Sequence, residues 1–231
     1  MTVTGIQKAA EAPASGALPH NLTLYGYGTA RQLRPHWMLA EMGIEYEFER
    51  VHPRSGQTMT PEFLKINPRH KVPVLRHGDF ILCESAAIIQ YISETFEPPP
   101  TVFIPRTPVE RAKVNEWCYF VITELDAIAL YVIRRHTQLA QIYGEAPQAV
   151  KAAREYFSDQ FDPIVPRIAQ AKPCLFGDRI SVADILLTTV IDWAQQIDID
   201  VPQDAREYCA RMMGRPAYKI AAEKVFTEPP N

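Results

Sequence analysis

The sequence predicts an α+β domain followed by an all-α domain, from three observations along its 231 residues. Between residues 22 and 96, short β-like runs alternate with helical ones. Residues 97–108, EPPPTVFIPRTP, contain five prolines and no periodicity, which is typical of a linker. Beyond them, nearly every stretch has helical spacing. We therefore expect an extension over 1–20, a first domain over 21–96, this linker, and a second domain over 109–231.

The first domain is predicted to run β-α-β, a short helix, then β-β-α. Gly43 is expected to close the first helix, Pro61 to open the second, and Ser85 to cap the third. Gly78 lies in a turn between two strands, which predicts an antiparallel hairpin. The expected strands are 22–27, 45–51, 72–75 and 80–83, and the expected helices are 34–43, 61–66 and 85–96.

Two patterns define the second domain. Apolar residues at steps of three and four predict a long helix with one buried face; they are Val114, Trp117, Val121, Leu125 and Ile128. In ISVADILL (180–187), Ser181 and Asp184 have the spacing of a capping box, with Ile180 and Ile185 placed to form a hydrophobic staple.

Composition excludes several functions. A net charge of −3 and a pI near 6.1 argue against nucleic-acid binding or an anionic membrane surface. No apolar run approaches the roughly 20 residues that span a bilayer. The four cysteines include no CxxC pair, which indicates reduced thiols in a cytoplasmic protein and no metal site. Residues 1–20 lack a signal-peptide core and are expected to be a loose extension.

A proline inside the strand-like run NPRHKVPVL (67–75) is unusual, because proline cannot donate to a sheet ladder. A cis Val72–Pro73 bond would accommodate it and turn the backbone of Val72 outward. The N–H and C=O groups of Val72 could then pair with a ligand that binds like an added strand, and a peptide is the natural candidate.

Glu84 and Ser85 follow, where a strand ends and a helix begins. The helix N-terminus and the Ser85 hydroxyl suit a carboxylate, and Glu84 can accept from an ammonium group. A carboxylate and an ammonium on one carbon describe the α-amino-acid end of a ligand. The plainer interpretation is that Ser85 is only a helix cap and Glu84 only a solvated acid.

With these motifs in this order, the chain from about residue 22 to 225 resembles the cytosolic glutathione transferases. The resemblance also rests on the proline-rich linker and on GDRISVADILL (177–187). It implies a thioredoxin-like first domain, a helical second domain, a homodimer and glutathione as co-substrate, with no metal. It further implies that glutathione is held by Val72 ahead of cis-Pro73, by Glu84 and Ser85 at the γ-glutamyl end, and by Lys71 near the glycyl carboxylate.

The group that makes the glutathione thiol a thiolate is less evident. Many members of the family carry a Ser where this chain has Ala30, and the bacterial beta class, which LRPHW (33–37) also resembles, has a Cys where this chain has Arg31. The His and Lys of the beta class correspond to Asp126 and Ala127, so its catalytic set is missing. The remaining candidates near the thiol are Arg31, through its charge, Thr29, through its hydroxyl, and the N-terminus of the first helix itself; Tyr27 also lies nearby.

The electrophile is expected to bind between the domains. Five residues of the long helix step by four, three, four and four and are predicted to share a face: Tyr119, Thr123, Asp126, Leu130 and Arg134. They would suit an aromatic or mildly anionic substrate, although most could equally be interdomain core. Tyr27 is expected to be core or to line the substrate site.

The sequence therefore predicts an enzyme that conjugates glutathione to a small hydrophobic electrophile, or displaces a group from it. Glutathione-dependent isomerisation or ether cleavage on the same scaffold is a second possibility. A non-catalytic glutathione-binding or protein-interaction module is a third, which the alanine at position 30 favours.

Overall fold

The computed structural model describes residues 21–227, so the predicted extension over 1–20 lies outside the described residues. It confirms the predicted fold class, an α+β domain with a four-stranded sheet followed by an all-helical domain. In the described part of the chain, no helix has both the length and the apolar character needed to cross a membrane.

The sheet has the strand order β2-β1-β3-β4. β1 is parallel to β2 and antiparallel to β3, and β3 forms the predicted hairpin with β4. The strands are β1 (Leu22–Tyr25), β2 (Glu47–Glu49), β3 (Val74–His77) and β4 (Phe80–Cys83). The prediction that β3 begins at Val72 is wrong, because the proline at position 73 has no N–H for the ladder and pairing starts only at Val74.

The first domain contains helices α1 (Ala30–Met42), α2 (Pro61–Ile66) and α3 (Ser85–Thr95). Gly43 ends α1 in the left-handed conformation, as predicted. α1 begins four residues earlier than predicted, at Ala30, with Pro35 inside its first turns. α3 begins at Ser85, where its predicted range begins, but Glu84 rather than Ser85 occupies the capping position.

The second domain contains eight α-helices, a ten-residue π-helical segment and a short 3-10 turn at 162–164 within the described residues. They are α4 (Pro108–Phe120), the π segment (Val121–Leu130), α5 (Tyr131–His136), α6 (Ala140–Tyr143), α7 (Pro147–Phe161), α8 (Val165–Ala169), α9 (Val182–Gln196), α10 (Gln203–Met213) and α11 (Pro216–Phe226). The capping box of α9 is confirmed: Ser181 Oγ accepts from the Asp184 amide at 3.3 Å, and Asp184 Oδ2 accepts from the Ser181 amide at 2.8 Å.

The π segment changes which residues of the long helix are buried. Val114, Val121 and Leu125 are buried as predicted, but Ile128 is 49% exposed and Ala129 is buried in its place. A π-helix bonds each residue to the fifth rather than the fourth along the chain, so a face worked out from α-helical spacing drifts. The predicted burial of Ile128 is therefore wrong.

Helix α1 joins the two domains. It packs on α3 of its own domain and on α9 and α11 of the other. Trp37, fully buried in α1, meets Tyr218 of α11 edge to face, and Glu41 pairs with Arg215 at 2.6 Å. The start of α1 therefore lies at the boundary between the domains.

Candidate functional site

A cavity of about 350 Å³ lies beside the start of β3 and the start of α3. The Val72–Pro73 peptide bond at its edge is cis, as predicted. All five residues that the sequence assigns to glutathione binding line this cavity: Lys71, Val72, Pro73, Glu84 and Ser85. The structure thus brings together residues from two separate motifs. We call this space the Val72–Ser85 cavity.

Glu84 occupies the junction between β4 and α3 with an unusual backbone. Its φ of 73° lies in the left-handed region, which costs a residue other than glycine on the order of 1 kcal/mol. Its exposed carboxylate pairs with Arg69 at 2.9 Å. Backbone strain of this kind concentrates at binding sites, and here it turns an acid to the rim of the cavity.

Ser85 is tied to the second domain through a buried arginine. Its Oγ accepts a hydrogen bond from Arg34 Nη1 at 3.1 Å, and Arg34 is fully buried. Arg34 also donates from Nε to Thr189 Oγ1 of α9 at 2.9 Å and from Nη2 to Asp126 Oδ2 at 2.6 Å. Because Ser85 Oγ accepts from Arg34, the hydroxyl proton remains available to a ligand carboxylate.

Asp126 binds two arginines. Only 2% of its side chain is exposed, and its carboxylate accepts from Arg34 and from Arg31, whose Nε lies 3.0 Å away. Burial alone would raise the pKa of the Asp126 carboxyl, but the guanidinium groups of Arg34 and Arg31 together hold it below its usual value. Two cations and one anion leave this network with one net positive charge.

Arg31 reaches from the first turn of α1 to the open side of this network. Its side chain is 35% exposed, and its guanidinium lies 4.5 Å from the centre of the Tyr131 ring. Burial lowers the pKa of Arg31, but the adjoining Asp126 carboxylate more than offsets this and the pKa is raised, so the group stays charged. Arg31 lines the Val72–Ser85 cavity.

A second cavity, of about 380 Å³, adjoins the first and shares Arg31, Lys71, Val72 and Tyr131 with it. We call it the Arg134 cavity. Arg54, Lys71, Tyr131 and Arg134 line it together with Arg31, while within residues 21–227 no Asp or Glu does. Its side-chain lining is therefore strongly cationic.

Thr29 precedes α1 and also lines the Arg134 cavity. It occupies the capping position, yet within the described chain its hydroxyl makes no capping hydrogen bond. The first turn of α1 contains no acidic residue to offset the positive end of the helix. Ala30 is the first residue of α1, and its methyl group cannot donate a hydrogen bond.

The predicted electrophile-binding residues do not all line the same cavity in the structure. Arg134 lines the cavity, but Tyr119 is 62% exposed on the outer face of the helix and the Thr123 hydroxyl donates to the Tyr119 carbonyl at 2.8 Å. Of the described residues, neither Tyr119 nor Thr123 lines the two cavities, nor does Tyr27, which packs on His52. The widened π segment explains the separation, since the predicted shared face assumed α-helical spacing.

Three residues at the site were missed by sequence reasoning. Arg54 follows β2 and has a φ of 71°; Tyr131 lines both cavities; and Gln32 is buried beside the Arg134 cavity, with an Oε1 that has no partner among the described residues. Only Gln32 carried a usable signal, being polar on the buried side of α1.

Within residues 21–227, no group of three His, Cys, Asp or Glu side chains could hold a metal.

The chain matches two family models over most of its length. Residues 20–94 match the glutathione S-transferase N-terminal domain, and residues 120–216 match the C-terminal domain. Among curated proteins, glutathione S-transferase D7 of Drosophila melanogaster is 28% identical over 185 residues, covering 78% of each chain. A probable glutathione S-transferase of Solanum tuberosum is 30% identical over 154 residues, covering 66% of this chain and 63% of the relative.

Solved structures agree with this assignment. A glutathione transferase from Methylococcus capsulatus superposes with a TM-score of 0.72 at 28% identity, covering 88% of this chain and 98% of the other. A homologue from Lodderomyces elongisporus, solved with two GSH per subunit, superposes with a TM-score of 0.78 at 21% identity, covering 88% and 98%, and shares the fold. The chain belongs to the glutathione transferase family.

Proposed function

We propose that this protein binds glutathione in the Val72–Ser85 cavity and transfers it to a small hydrophobic electrophile. The observation that carries the proposal is the convergence on one cavity of the cis-proline strand and the β4–α3 junction. The backbone of Val72 pairs with the peptide as an added strand would. Ser85 receives the γ-glutamyl carboxylate, Glu84 the ammonium group, and Lys71 the glycyl carboxylate.

The reaction needs the glutathione thiolate, which positive charge stabilises. Arg31 is our first candidate for this role: it lies between the two cavities and belongs to a network with one net positive charge. The positive end of α1 acts in the same direction. Thr29 is the second candidate, because its hydroxyl does not cap the helix and lines the Arg134 cavity.

The chemical step is a displacement or an addition at an electrophilic carbon. The sulfur lone pair forms the new C–S bond, and in a displacement the leaving group departs with its bonding electrons. Glutathione is thus a co-substrate, and the step needs no metal. We place this reaction in the cytoplasm, where it would serve the detoxification of electrophiles. The four cysteines, all of which are free thiols, suit a reducing compartment.

The absence of a hydroxyl at Ala30 favours one competing function, a non-catalytic glutathione-binding module. Two measurements separate it from the enzyme: retention on immobilised glutathione, and conjugation of a panel of aryl halides and epoxides. The transferase proposal predicts retention and turnover. Retention without turnover of any electrophile would favour the module, and loss of both would contradict the proposed site.

We also propose a symmetric homodimer, in which the first domain of one chain packs on the second domain of its partner. Exposed apolar side chains in both domains support it, with Met59 and Ile81 in the first and Val109 and Tyr119 in the second. Burying such residues would stabilise a dimer. Light scattering at micromolar concentration should give twice the chain mass, and a monomer would contradict the proposal.

A further inference from the structure

The Arg134 cavity carries more positive charge than the carboxylates of residues 21–227 neutralise. Of its four cationic side chains, Arg31 is paired with Asp126. Arg54, Lys71 and Arg134 have no carboxylate partner within residues 21–227. The Nε of Arg134 is moreover buried without a hydrogen-bond partner in the described part of the chain. Guanidinium donors left unpaired at a cavity are suited to receive an anion.

The ionisation of neighbouring groups reports the same excess of charge. Burial, and then the charges of Arg54 and Arg31, lower the pKa of Arg134. At Tyr131, burial raises the pKa, but a hydrogen bond from Tyr143 and the charges of Lys71, Arg31 and Arg54 lower it by more. Both shifts have the direction that uncompensated cations produce.

Glutathione does not account for all of these cations. Under the proposed function, Lys71 receives the glycyl carboxylate and Arg31 stabilises the thiolate. Arg54 and Arg134 remain, presented by different parts of the fold: the loop after β2, where Arg54 has a left-handed backbone, and helix α5. Two arginines from separate elements at one cavity form a clamp for a second anionic group.

We propose that the electrophile is an anionic aromatic compound, whose carboxylate is held by Arg54 and Arg134 while its ring packs on Tyr131. This inference rests on the proposed function, and it names the substrate class of the same site. The clamp binds a group that does not react. The thiolate forms the C–S bond elsewhere on the ring, and a halide leaves with its bonding electrons.

The test compares a chloronitrobenzoate with its uncharged chloronitrobenzamide, each rate being divided by the uncatalysed rate with glutathione. We expect kcat/KM for the benzoate to exceed that for the benzamide by about tenfold or more, the scale of a charge-assisted hydrogen bond. Arg54→Met and Arg134→Met should each remove most of this preference through KM, and lower kcat/KM for the benzamide by much less than for the benzoate. Arg106→Met, an exposed arginine outside both cavities, is the matched control. Equal rates for the two compounds would overturn the inference.

Binding measurements separate this inference from the proposed function. In calorimetry, glutathione affinity should be unchanged in Arg54→Met and Arg134→Met; a fall of about tenfold would show that these arginines serve glutathione and would overturn the inference. If neither compound is turned over, the clamp is tested with unreactive nitrobenzoate and nitrobenzamide on protein saturated with S-methylglutathione. Tighter binding of nitrobenzoate, lost in Arg134→Met and weakened by salt, would support the clamp without catalysis. Equal binding would overturn it.

Discussion

The two adjoining cavities that Arg31 lines differ in how their charges are arranged. In the Val72–Ser85 cavity, Glu84 is paired with Arg69, and Ser85 is fixed by Arg34. Of the two cavities, only the Arg134 cavity is lined by Arg54 and Arg134, which have no carboxylate partner within the described residues. A site whose polar groups are already hydrogen-bonded is preorganised for one ligand, whereas unpaired cations leave the choice of anion open. The comparison suggests a fixed site for the common co-substrate beside a more permissive one for the electrophile.

The largest effect, on the free energy of unfolding, should come from removing the carboxylate of Asp126, which pairs with the arginine that holds Ser85 in the Val72–Ser85 cavity. Asp126→Ala leaves Arg34 buried without its carboxylate, and breaking a buried pair costs about 3–5 kcal/mol. We expect a loss of this size in urea unfolding. Glu116→Ala, which breaks the exposed pair with Lys113, should cost less than about 1 kcal/mol. Similar losses in the two variants would contradict the structural role given to Asp126.

The same carboxylate gives that stability a pH dependence. Because the pKa of Asp126 in the folded protein lies below its usual value of 3.8, the unfolded chain binds its proton at a higher pH. The stabilisation is therefore fully present above that value and is lost as the pH falls through the lower pKa of the folded state. The stability of Asp126→Ala, measured by urea unfolding across this range, should fall less steeply in acid than that of the wild type.

The next effect tests whether the two cavities act separately. Under the proposed function, Ser85→Ala and Glu84→Ala should each remove a charge-assisted hydrogen bond to glutathione, worth about 1.5–3 kcal/mol. Calorimetry should show affinity reduced by that amount, while Arg134→Met retains it. Ser93→Ala, a buried serine of α3 outside both cavities, is the control. Unchanged affinity in the folded Ser85 and Glu84 variants would show that glutathione does not bind in the Val72–Ser85 cavity.

A smaller effect concerns Arg31, which both cavities share. Arg31→Ala should raise the pKa of the bound glutathione thiol by roughly one unit, because a nearby positive charge favours the thiolate. Thr29→Val keeps the shape of the side chain and should leave that pKa nearly unchanged. Thiolate absorbance in the ultraviolet measures it. A higher thiol pKa in Thr29→Val alone would give the role to Thr29. No shift in either variant would indicate that the backbone amides at the start of α1 stabilise the thiolate.

The smallest effect is expected at the rim of the fixed site. Arg69 and Glu84 are both exposed, so Arg69→Met should leave the free energy of unfolding nearly unchanged. Glutathione affinity should not fall, since Glu84 becomes free to receive the ammonium group. A marked loss of affinity in calorimetry would mean that Arg69 itself contacts glutathione.

Local chemistry explains what could be predicted from the sequence. The cis bond at Val72–Pro73, the hairpin around Gly78 and the capping box of α9 each depend on a few neighbouring residues. The Glu84–Ser85 junction was likewise found from the sequence, although the capping position was assigned to Ser85 and not to Glu84. The fixed site is built mainly from such short motifs, and this is why its residues were identified together.

The features that could not be predicted from the sequence depend on contacts between distant segments of the chain. Arg31 and Asp126 are 95 residues apart, and sequence patterns alone did not predict their pairing or that of Arg34 with Thr189. The apolar pattern of the π segment fits an α-helix equally well. Tyr119 and Thr123 were therefore predicted to share the face of Asp126 and Arg134, from which the structure separates them. The Arg134 cavity is assembled from the start of α1, two loops of the first domain and helices α5 and α6 of the second, which sequence spacing does not bring together.

A crystal structure of the protein with glutathione bound tests the central claim most directly. We expect the γ-glutamyl carboxylate within hydrogen-bond distance of Ser85 Oγ, the peptide backbone paired with the N–H and C=O groups of Val72, and the sulfur beside Arg31. The guanidinium groups of Arg54 and Arg134 should remain free of glutathione. Glutathione bound elsewhere, or bound with its backbone unpaired at Val72, would contradict the account.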